Sequence, residues 1–192
     1  MSQAAISPMT PDEFLVWERA APDRHHYVRG EVFAMSGGSA RHSYLGAQMI
    51  GLLRQGLLGG PCNAHTADLR LGIASDHFVY ADAVVVCRPM AFRPGTTDVV
   101  TNPSVVVEVL SKSTEAYDRG DKLAGYLALT SVRHIALVSQ REPRVETYTR
   151  QDDGSFRFEV HQVGATLRLD GIGVTIAVDD VYAGAFELPG DV

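Results

Sequence analysis

Two valine-rich segments constrain the fold of this chain more than any other feature of its sequence: FVYADAVVVC at residues 78–87 and SVVVEVL at residues 104–110. Apolar runs of this length are typical of strands that are covered on both faces of a sheet. Each run carries one acid, Asp82 in the first and Glu108 in the second. A lone carboxylate in such a strand is strongly desolvated, so it has to be paired, protonated or bound to a metal ion.

The segments around these strands predict further helices and strands. One helix begins at the capping sequence Thr10-Pro11-Asp12-Glu13 and ends near residue 20. Helical spacing of apolar residues predicts a second helix over 39–58 and a third from residue 113 or 114 to 129. A hairpin is expected over 26–36, with Gly30 at positive φ. Other strands are predicted at 62–73, 134–139, 144–150, 156–162, 166–169 and 174–178, with a last helical turn around 181–182.

This order of elements indicates an α/β fold in which a mixed β-sheet is flanked by helices. The chain has 192 residues, of which 45% are hydrophobic, which suits one domain with a single core. The helix before residue 134 is expected to be a right-handed crossover between parallel strands.

Charge and apolar content exclude several classes of protein. No apolar run is long enough to span a bilayer and the first residues lack the pattern of a signal peptide, so we expect a cytoplasmic protein with no membrane segment. The net charge of −6 argues against a protein that coats nucleic acid through bulk electrostatics. A local basic groove is still compatible with this net charge. Cys62 and Cys87 are predicted to be buried free thiols, which fits a reducing compartment.

Alternation along the two valine-rich strands predicts that their acids meet. Asp82 falls on the face of Tyr80 and Val84, and Glu108 falls on the face of Val106. If the strands are neighbours, the two carboxylates suit a hard divalent ion such as Mg²⁺. The alternative is that Asp82 caps a strand end and Glu108 pairs with an arginine.

Lys122 is the third candidate, because only two of the 17 basic residues are lysines and this one follows Glu108 by one helical segment. An ammonium at the start of that helix could stabilise charge on an attacked phosphate. The alternative is a solvent-facing lysine paired with Asp118, four residues earlier.

Four strings then resemble one family. They are GEVFAMS at 30–36, the Arg41-His42 pair at the start of the second helix, the Tyr-x-Asp-x-V-V-V-C run ending at Cys87, and VVVEVLSKSTEAYDRGDKLAGY at 105–126. Together they resemble the Uma-two family of restriction endonuclease-like proteins. The resemblance runs from about residue 9 to 183, and its specific part is the block at 105–126.

The Uma-two family is similar to the PD-(D/E)XK nucleases, so the resemblance implies a restriction-endonuclease-like domain with a core at about 10–183 and metal-dependent cleavage of nucleic acid. By position, Asp82 and Glu108 are then the metal ligands, Glu31 is a further acid near the site and Lys122 takes the role of the superfamily lysine. Mg²⁺ is the expected metal, with Mn²⁺ as an alternative.

The chain also departs from the family pattern. The superfamily lysine normally lies two residues after the second acid, where this chain has Leu110, and Ala81 replaces the usual proline before Asp82. His26 lies where the family commonly has Glu.

The leading hypothesis is an endonuclease acting on DNA, and a homodimer would place two sites on a duplex. One rival is a nuclease-derived binding or scaffolding module with little catalysis. Another is a hydrolase of small phosphoesters. Arginines around the site would favour nucleic acid, whereas a ring of acids would favour a small ligand; the arginines considered are Arg41, Arg54, Arg88, Arg93 and Arg119. His42 could contact a phosphate, but a structural hydrogen bond is the preferred interpretation.

Overall fold

The computed structural model describes residues 2–3, 8–35 and 37–191, so Ser36, at the end of the predicted hairpin, lies outside the described residues. The helices are α1 (Pro11–Ala20), α2 (Ala40–Gly56), α3 (Glu115–Tyr117), α4 (Leu123–Ala128) and α5 (Val178–Tyr182). The predicted capping box of α1 is confirmed, because the Thr10 side chain accepts from the Glu13 backbone while the Glu13 carboxylate accepts from the Thr10 backbone.

Fourteen strands form the β structure of the described residues, and the α/β class predicted from the sequence is confirmed. The strands are β1 (Ser2–Gln3), β2 (His25–Val28), β3 (Glu31–Ala34), β4 (Cys62–Thr66), β5 (Arg70–Ala74), β6 (His77–Tyr80), β7 (Ala83–Cys87), β8 (Val99–Val100), β9 (Pro103–Leu110), β10 (His134–Ser139), β11 (Arg144–Arg150), β12 (Phe156–Gln162), β13 (Thr166–Leu169) and β14 (Val174–Ala177).

The strands are arranged in two six-stranded sheets and one two-stranded sheet, rather than in the single sheet predicted. The first has the order β1-β3-β2-β6-β5-β8, the second has the order β12-β11-β10-β9-β7-β4, and β13 pairs with β14. The second is mixed, since β9 runs parallel to β10 while its other neighbouring pairs are antiparallel. The predicted parallel pairing across the helical connection is therefore confirmed.

The strand β9 lies between two hydrophobic layers. Val105, Val107 and Val109 pack into a cluster with residues of α2, β14 and α5, whereas Val106 and Leu110 pack into a second cluster with residues of β5 and α4. The alternation predicted for this strand is therefore confirmed. By the same alternation, Glu108 points to the layer that contains α4.

The predicted strands over 62–73 and 78–87 are each divided in two, because the chain passes from one sheet to the other within them. A turn at Thr66 separates β4 from β5, with the Leu69 N–H donating to the Thr66 carbonyl. A break after Tyr80 separates β6 from β7, and Asp82 lies in that break. Asp82 is thus not inside a strand, so counting faces continuously from Phe78 was wrong for this residue.

The predicted helix over 113–129 is also interrupted. A π-helical turn at Asp118–Lys122 lies between α3 and α4, and Gly120 within it has the non-helical angles φ −99° and ψ −106°. Asp118 and Lys122 are both buried. Gly125 explains the close approach of α4 to β5, since a Cβ at this position would lie 2.5 Å from Ile73.

The prediction of free thiols is wrong, because Cys62 and Cys87 form a disulfide. They are 25 residues apart in sequence and lie directly opposite each other in the antiparallel pair β4–β7, a register that composition does not reveal. The thiol-based support for a reducing compartment is therefore lost. None of the described helices has the length and apolar content needed to cross a membrane.

Candidate active site

A buried polar cluster forms where β9 faces the π-helical turn. The Lys122 ammonium lies 2.6 Å from Glu108 Oε1 and donates to Asp118 Oδ1 at 3.1 Å. The Tyr126 hydroxyl also donates to Glu108 Oε1, at 2.6 Å. Glu108, Asp118 and Lys122 are each no more than 3% exposed. The lysine pairs with Asp118 as the alternative interpretation proposed, but the pair is buried rather than solvent-facing.

The π-helical turn is held to the end of β9 by hydroxyl groups. Thr114 Oγ1 donates to Asp118 Oδ2 at 2.6 Å and lies 2.8 Å from Ser111 Oγ. Both carboxylate oxygens of Asp118 are thus occupied, one by Thr114 and one by Lys122. This arrangement fixes the ammonium of Lys122 over Glu108.

Asp82 approaches the cluster from the break between the two sheets. Its Oδ2 accepts from the Val109 N–H at 2.7 Å, which fastens the acid to the residue after Glu108. The His42 Nε2 of the first turn of α2 lies 3.6 Å from the same oxygen. In the antiparallel pairing of β7 with β9, Ala83 faces Val107, so Asp82 lies at the next position of the register, beside Glu108.

These groups line one cleft of about 510 Å³. Its polar lining includes Asp82, Glu108, Lys122, Asp118, His42 and Tyr117. The structure therefore brings together three of the four residues predicted for the site.

Electrostatics in the cleft favours an additional positive charge. Burial raises the pKa of Glu108 to about 8, against the lowering effect of Lys122, and the neighbouring carboxylates of Asp118 and Asp82 add to the rise. Burial also raises the pKa of Asp82 above its ordinary value. The pKa of Lys122 is raised by Glu108 and Asp118 despite its burial, so this side chain is a permanent cation. Two of the three acids thus contact this one ammonium, and the third, Asp82, lies beside His42.

His26 lies in the cleft as a neutral side chain. Burial lowers its pKa well below the ordinary value, and Lys122 lowers it further. Its Nδ1 accepts from the Tyr80 N–H at 3.4 Å. The residue that departs from the family pattern therefore faces the site without adding charge at neutral pH.

Glu31 is not brought to the cleft, which corrects the expectation that it lies near the other acids. It is exposed at the start of β3, where it pairs with Val28 beside the hairpin turn. Within β3 the residue that lines the cleft is Ala34, three positions after Glu31. The position of an acid in a short hairpin gives no information about which end of the hairpin approaches the site.

The five arginines considered from the sequence do not line the cleft either. Arg41 binds backbone carbonyls near the carboxyl end of the chain, including that of Leu188. Arg119 pairs with Glu115 and Glu146. Arg24 is the arginine in the described lining. By the criterion set from the sequence, the acid-rich lining favours a small ligand over nucleic acid.

Asp118, Tyr117 and Thr114 are site residues that sequence reasoning did not assign a role. Asp118 was considered only as a surface partner of Lys122. The available signal was its spacing of four residues from Lys122, which places both on one side of a helix. His42 was considered, but its approach to Asp82 depends on packing between α2 and the break in the strands.

The donor set of the cleft fits a hard divalent cation. The contacts of Glu108 with Lys122 and Tyr126 use Oε1, and those of Asp82 use Oδ2, so the described contacts leave one oxygen of each carboxylate for a ligand. The described residues contain no group of three or more His, Cys, Asp or Glu side chains placed to hold a metal by themselves. Mg²⁺ commonly binds through one or two carboxylates and completes its shell with water and substrate.

Similarity to known proteins agrees with this reading of the fold. A family model named Uma2 and described as "Putative restriction endonuclease" matches residues 11–179. A crystal structure of "a putative nuclease belonging to DUF820" from Anabaena variabilis ATCC 29413 superposes with a TM-score of 0.75 at 17% identity, covering 93% of this chain and 99% of that one.

Two relatives from Synechocystis sp. (strain ATCC 27184 / PCC 6803 / Kazusa) match over most of their length. The uncharacterized protein slr1290 is 35% identical over 94% of this chain and 95% of its own. The uncharacterized protein sll1609 is 30% identical over 80% of this chain and 87% of its own. With the family model covering most of the sequence, the chain belongs to the Uma2 family and has the fold of its nuclease-like structural neighbour.

Proposed function

We propose that the chain is a single metal-dependent nuclease domain that hydrolyses phosphodiester bonds of nucleic acid, with DNA as the first substrate to test. The observation that carries this proposal is the placement of Asp82, Glu108 and Lys122 in one cleft, although they come from the break between β6 and β7, from β9 and from the π-helical turn. The raised pKa values of both acids support it, because burial is the main cause of both rises, and acids that are desolvated together in a cleft are typical of functional sites.

Each residue has a distinct role in the proposed reaction. Asp82 and Glu108 would hold Mg²⁺ or Mn²⁺, which when bound polarises the scissile phosphate and acidifies a water molecule. Lys122 supplies a fixed positive charge beside Glu108, where it can stabilise the negative charge that develops on the phosphate. Tyr126 orients Glu108 through its hydroxyl and packs beneath it.

A second candidate, the hydrolysis of small phosphoesters, is favoured by the acid-rich lining of the cleft. It uses the same residues and differs in what approaches them. The rival without catalysis, a nuclease-derived binding module, is disfavoured by the intact grouping of two acids with a buried lysine.

Cleavage assays on matched substrates separate these functions. The purified chain is incubated with supercoiled plasmid, single-stranded DNA, RNA and bis(p-nitrophenyl) phosphate, with Mg²⁺, with Mn²⁺ and with excess EDTA. We expect metal-dependent nicking of the plasmid that EDTA abolishes. Turnover of the small ester alone would support the second candidate, and Mn²⁺ binding without cleavage of any substrate would support the binding module.

Metal affinity is expected to rise with pH up to about the pKa of Glu108. This pKa is about 8 in the folded, metal-free protein, so below that pH a proton occupies the carboxylate and must leave before the metal binds. The Mn²⁺ association constant should therefore increase up to about tenfold per pH unit between about pH 6 and pH 8 and then level off. Titration calorimetry measures it. Glu108→Gln should remove this pH dependence, and a flat profile for the wild type would contradict the assignment of Glu108 as a ligand.

A further inference from the structure

The strand β12 forms one edge of the second sheet, and its outer side has no strand partner among the described residues. Its sequence, FRFEVHQ, contains no proline, glycine or lysine. Proteins usually protect an exposed edge strand with proline, with charged side chains such as lysine or with a bulge, because unpaired backbone groups invite pairing with another chain. The strand β12 carries one charge of each sign, Arg157 and Glu159, and its pairing with β11 is regular over all seven residues, so its outer side can pair with a strand of complementary charge.

Exposed apolar side chains are concentrated on this strand and the turn that follows it. Phe158 is 49% exposed, Val160 is 43% exposed and Val163 is 68% exposed. Phe158 and Val160 lie on the same face of β12, since alternate residues of a strand share a face. Phe158 contacts Tyr148 of β11 with a centroid separation of 5.1 Å, which continues the apolar face inward.

We propose that β12 is a homodimer interface, in which β12 of a second copy pairs antiparallel with it around a two-fold axis at Phe158. The second sheet of one copy, which contains β12, would then join the same sheet of the other copy into one continuous sheet across the interface. A two-fold axis closes the assembly, because the same edge is used by both copies and neither copy keeps it exposed.

Charge selects this register. With the axis at Phe158, Arg157 of each copy faces Glu159 of the other, so two opposite-charge pairs form. Phe156 of each copy then faces Val160 of the other, and the two Phe158 rings meet at the centre. With the axis moved to Glu159, the two Glu159 carboxylates would face each other, which is unfavourable, and Arg157 would no longer face an acid. The strand is thus complementary to itself in one register and not in the next.

The strand carries one basic and one acidic side chain that can form the ion pairs of this register. Arg157 and Glu159 form an ion pair within the strand at 3.0 Å, and both side chains are about half exposed, so they are free to exchange partners. The interface lies on β12, whereas the acids of the cleft lie on β9 and before β7, so the dimer does not depend on the proposed nuclease function.

Sedimentation equilibrium on the full chain, with exchange of charges at the interface, tests this proposal. We expect a dimer for the wild type. Arg157→Glu or Glu159→Arg should each weaken dimerisation about tenfold, and the double variant Arg157→Glu/Glu159→Arg should restore it, because the facing charges are again opposite. Phe158→Glu should weaken dimerisation most, since it places two carboxylates at the axis. Arg168→Glu is the matched control, because it makes the same charge change at an exposed position of β13 and should leave the dimer intact.

Circular dichroism of each variant confirms that the fold is retained. A monomeric wild type, or a dimer that Phe158→Glu leaves unchanged, would overturn the proposal. Loss of the dimer in both single variants without recovery in the double variant would overturn the register. Open-ended polymers would indicate pairing of β12 with a different edge, and they would also overturn the two-fold arrangement.

Discussion

Asp82→Asn is expected to lower metal-dependent cleavage by at least about a hundredfold, the loss typical when a preorganised charged group is removed from an active site. The substitution removes the negative charge that would bind the cation. It retains an oxygen that can accept the Val109 N–H, so the attachment of the strand break to β9 is preserved. The loss of activity should therefore occur without loss of the fold.

The free energy of unfolding of Asp82→Asn should be equal to or higher than that of wild type, although its activity is lower. Because the pKa of Asp82 is raised in the folded protein, its ionised form is less favourable there than in the unfolded chain. The stability linked to this group falls as pH rises through the unfolded value of about 3.9, so wild type carries the penalty at neutral pH. Asn cannot ionise, and the variant should be at least as stable as wild type when no metal is present.

Thermal unfolding with and without Mn²⁺ measures both effects alongside the plasmid assay. Saturating metal should stabilise wild type by about 2–3 kcal/mol when its concentration is about a hundred times the dissociation constant, and Asp82→Asn should lose this stabilisation. Asp152→Asn, at the exposed turn between β11 and β12, is the matched control. Full activity in Asp82→Asn would remove Asp82 from the site.

The parts of the fold that depend on local pattern could be predicted from the sequence. The capping box of α1, the positive φ of Gly30 and the alternation along β9 each depend on residues within a few positions of one another. Glu108 was accordingly placed on its correct face. These signals are local in sequence, so one strand or one cap is enough to show them.

Features that depend on packing between distant segments could not be predicted in the same way. Asp82 lies in the break at which the chain passes from one sheet to the other. An apolar run has the same sequence pattern whether it forms one strand or two, so the pattern does not reveal this break. The pairing of Cys62 with Cys87 depends on the register of β4 with β7. The approach of His42 to Asp82 depends on where α2 packs.

The grouping of Asp82 with Glu108 was nevertheless anticipated, although the count of strand faces that predicted it holds only for Glu108. The energetic part of the argument does not depend on that count. Acids in apolar segments need a compensating group, so two of them in neighbouring segments tend to share it. The sequence does not show which groups compensate the two acids. In the structure Lys122 contacts Glu108 and Asp118 together, whereas Asp82 accepts from the Val109 N–H and lies 3.6 Å from His42. The lysine therefore has a structural role as well as the catalytic role proposed for it.

Lys122→Met is expected to reduce the free energy of unfolding by about 3–5 kcal/mol, in addition to lowering cleavage, because it leaves buried carboxylates without their cation. Met keeps most of the aliphatic volume of the lysine, so the effect of charge is separated from that of a cavity. Lys122 holds the pKa of Glu108 down, and its removal should raise that pKa further. The destabilisation should therefore be larger at about pH 9 than at about pH 6, where Glu108 takes up a proton.

Denaturant unfolding at the two pH values, with Lys112→Met as the control at the other, exposed lysine, measures this effect. The double variant Glu108→Gln/Lys122→Met should recover much of the lost stability, because one uncompensated acid is gone, but it should recover no cleavage. If Lys122→Met were as stable as wild type at both pH values, the ammonium would not be compensating the buried acids. If the double variant regained cleavage, the reaction would proceed without either side chain. Glu108 and Lys122 would then have a purely structural role, and neither would act on the substrate.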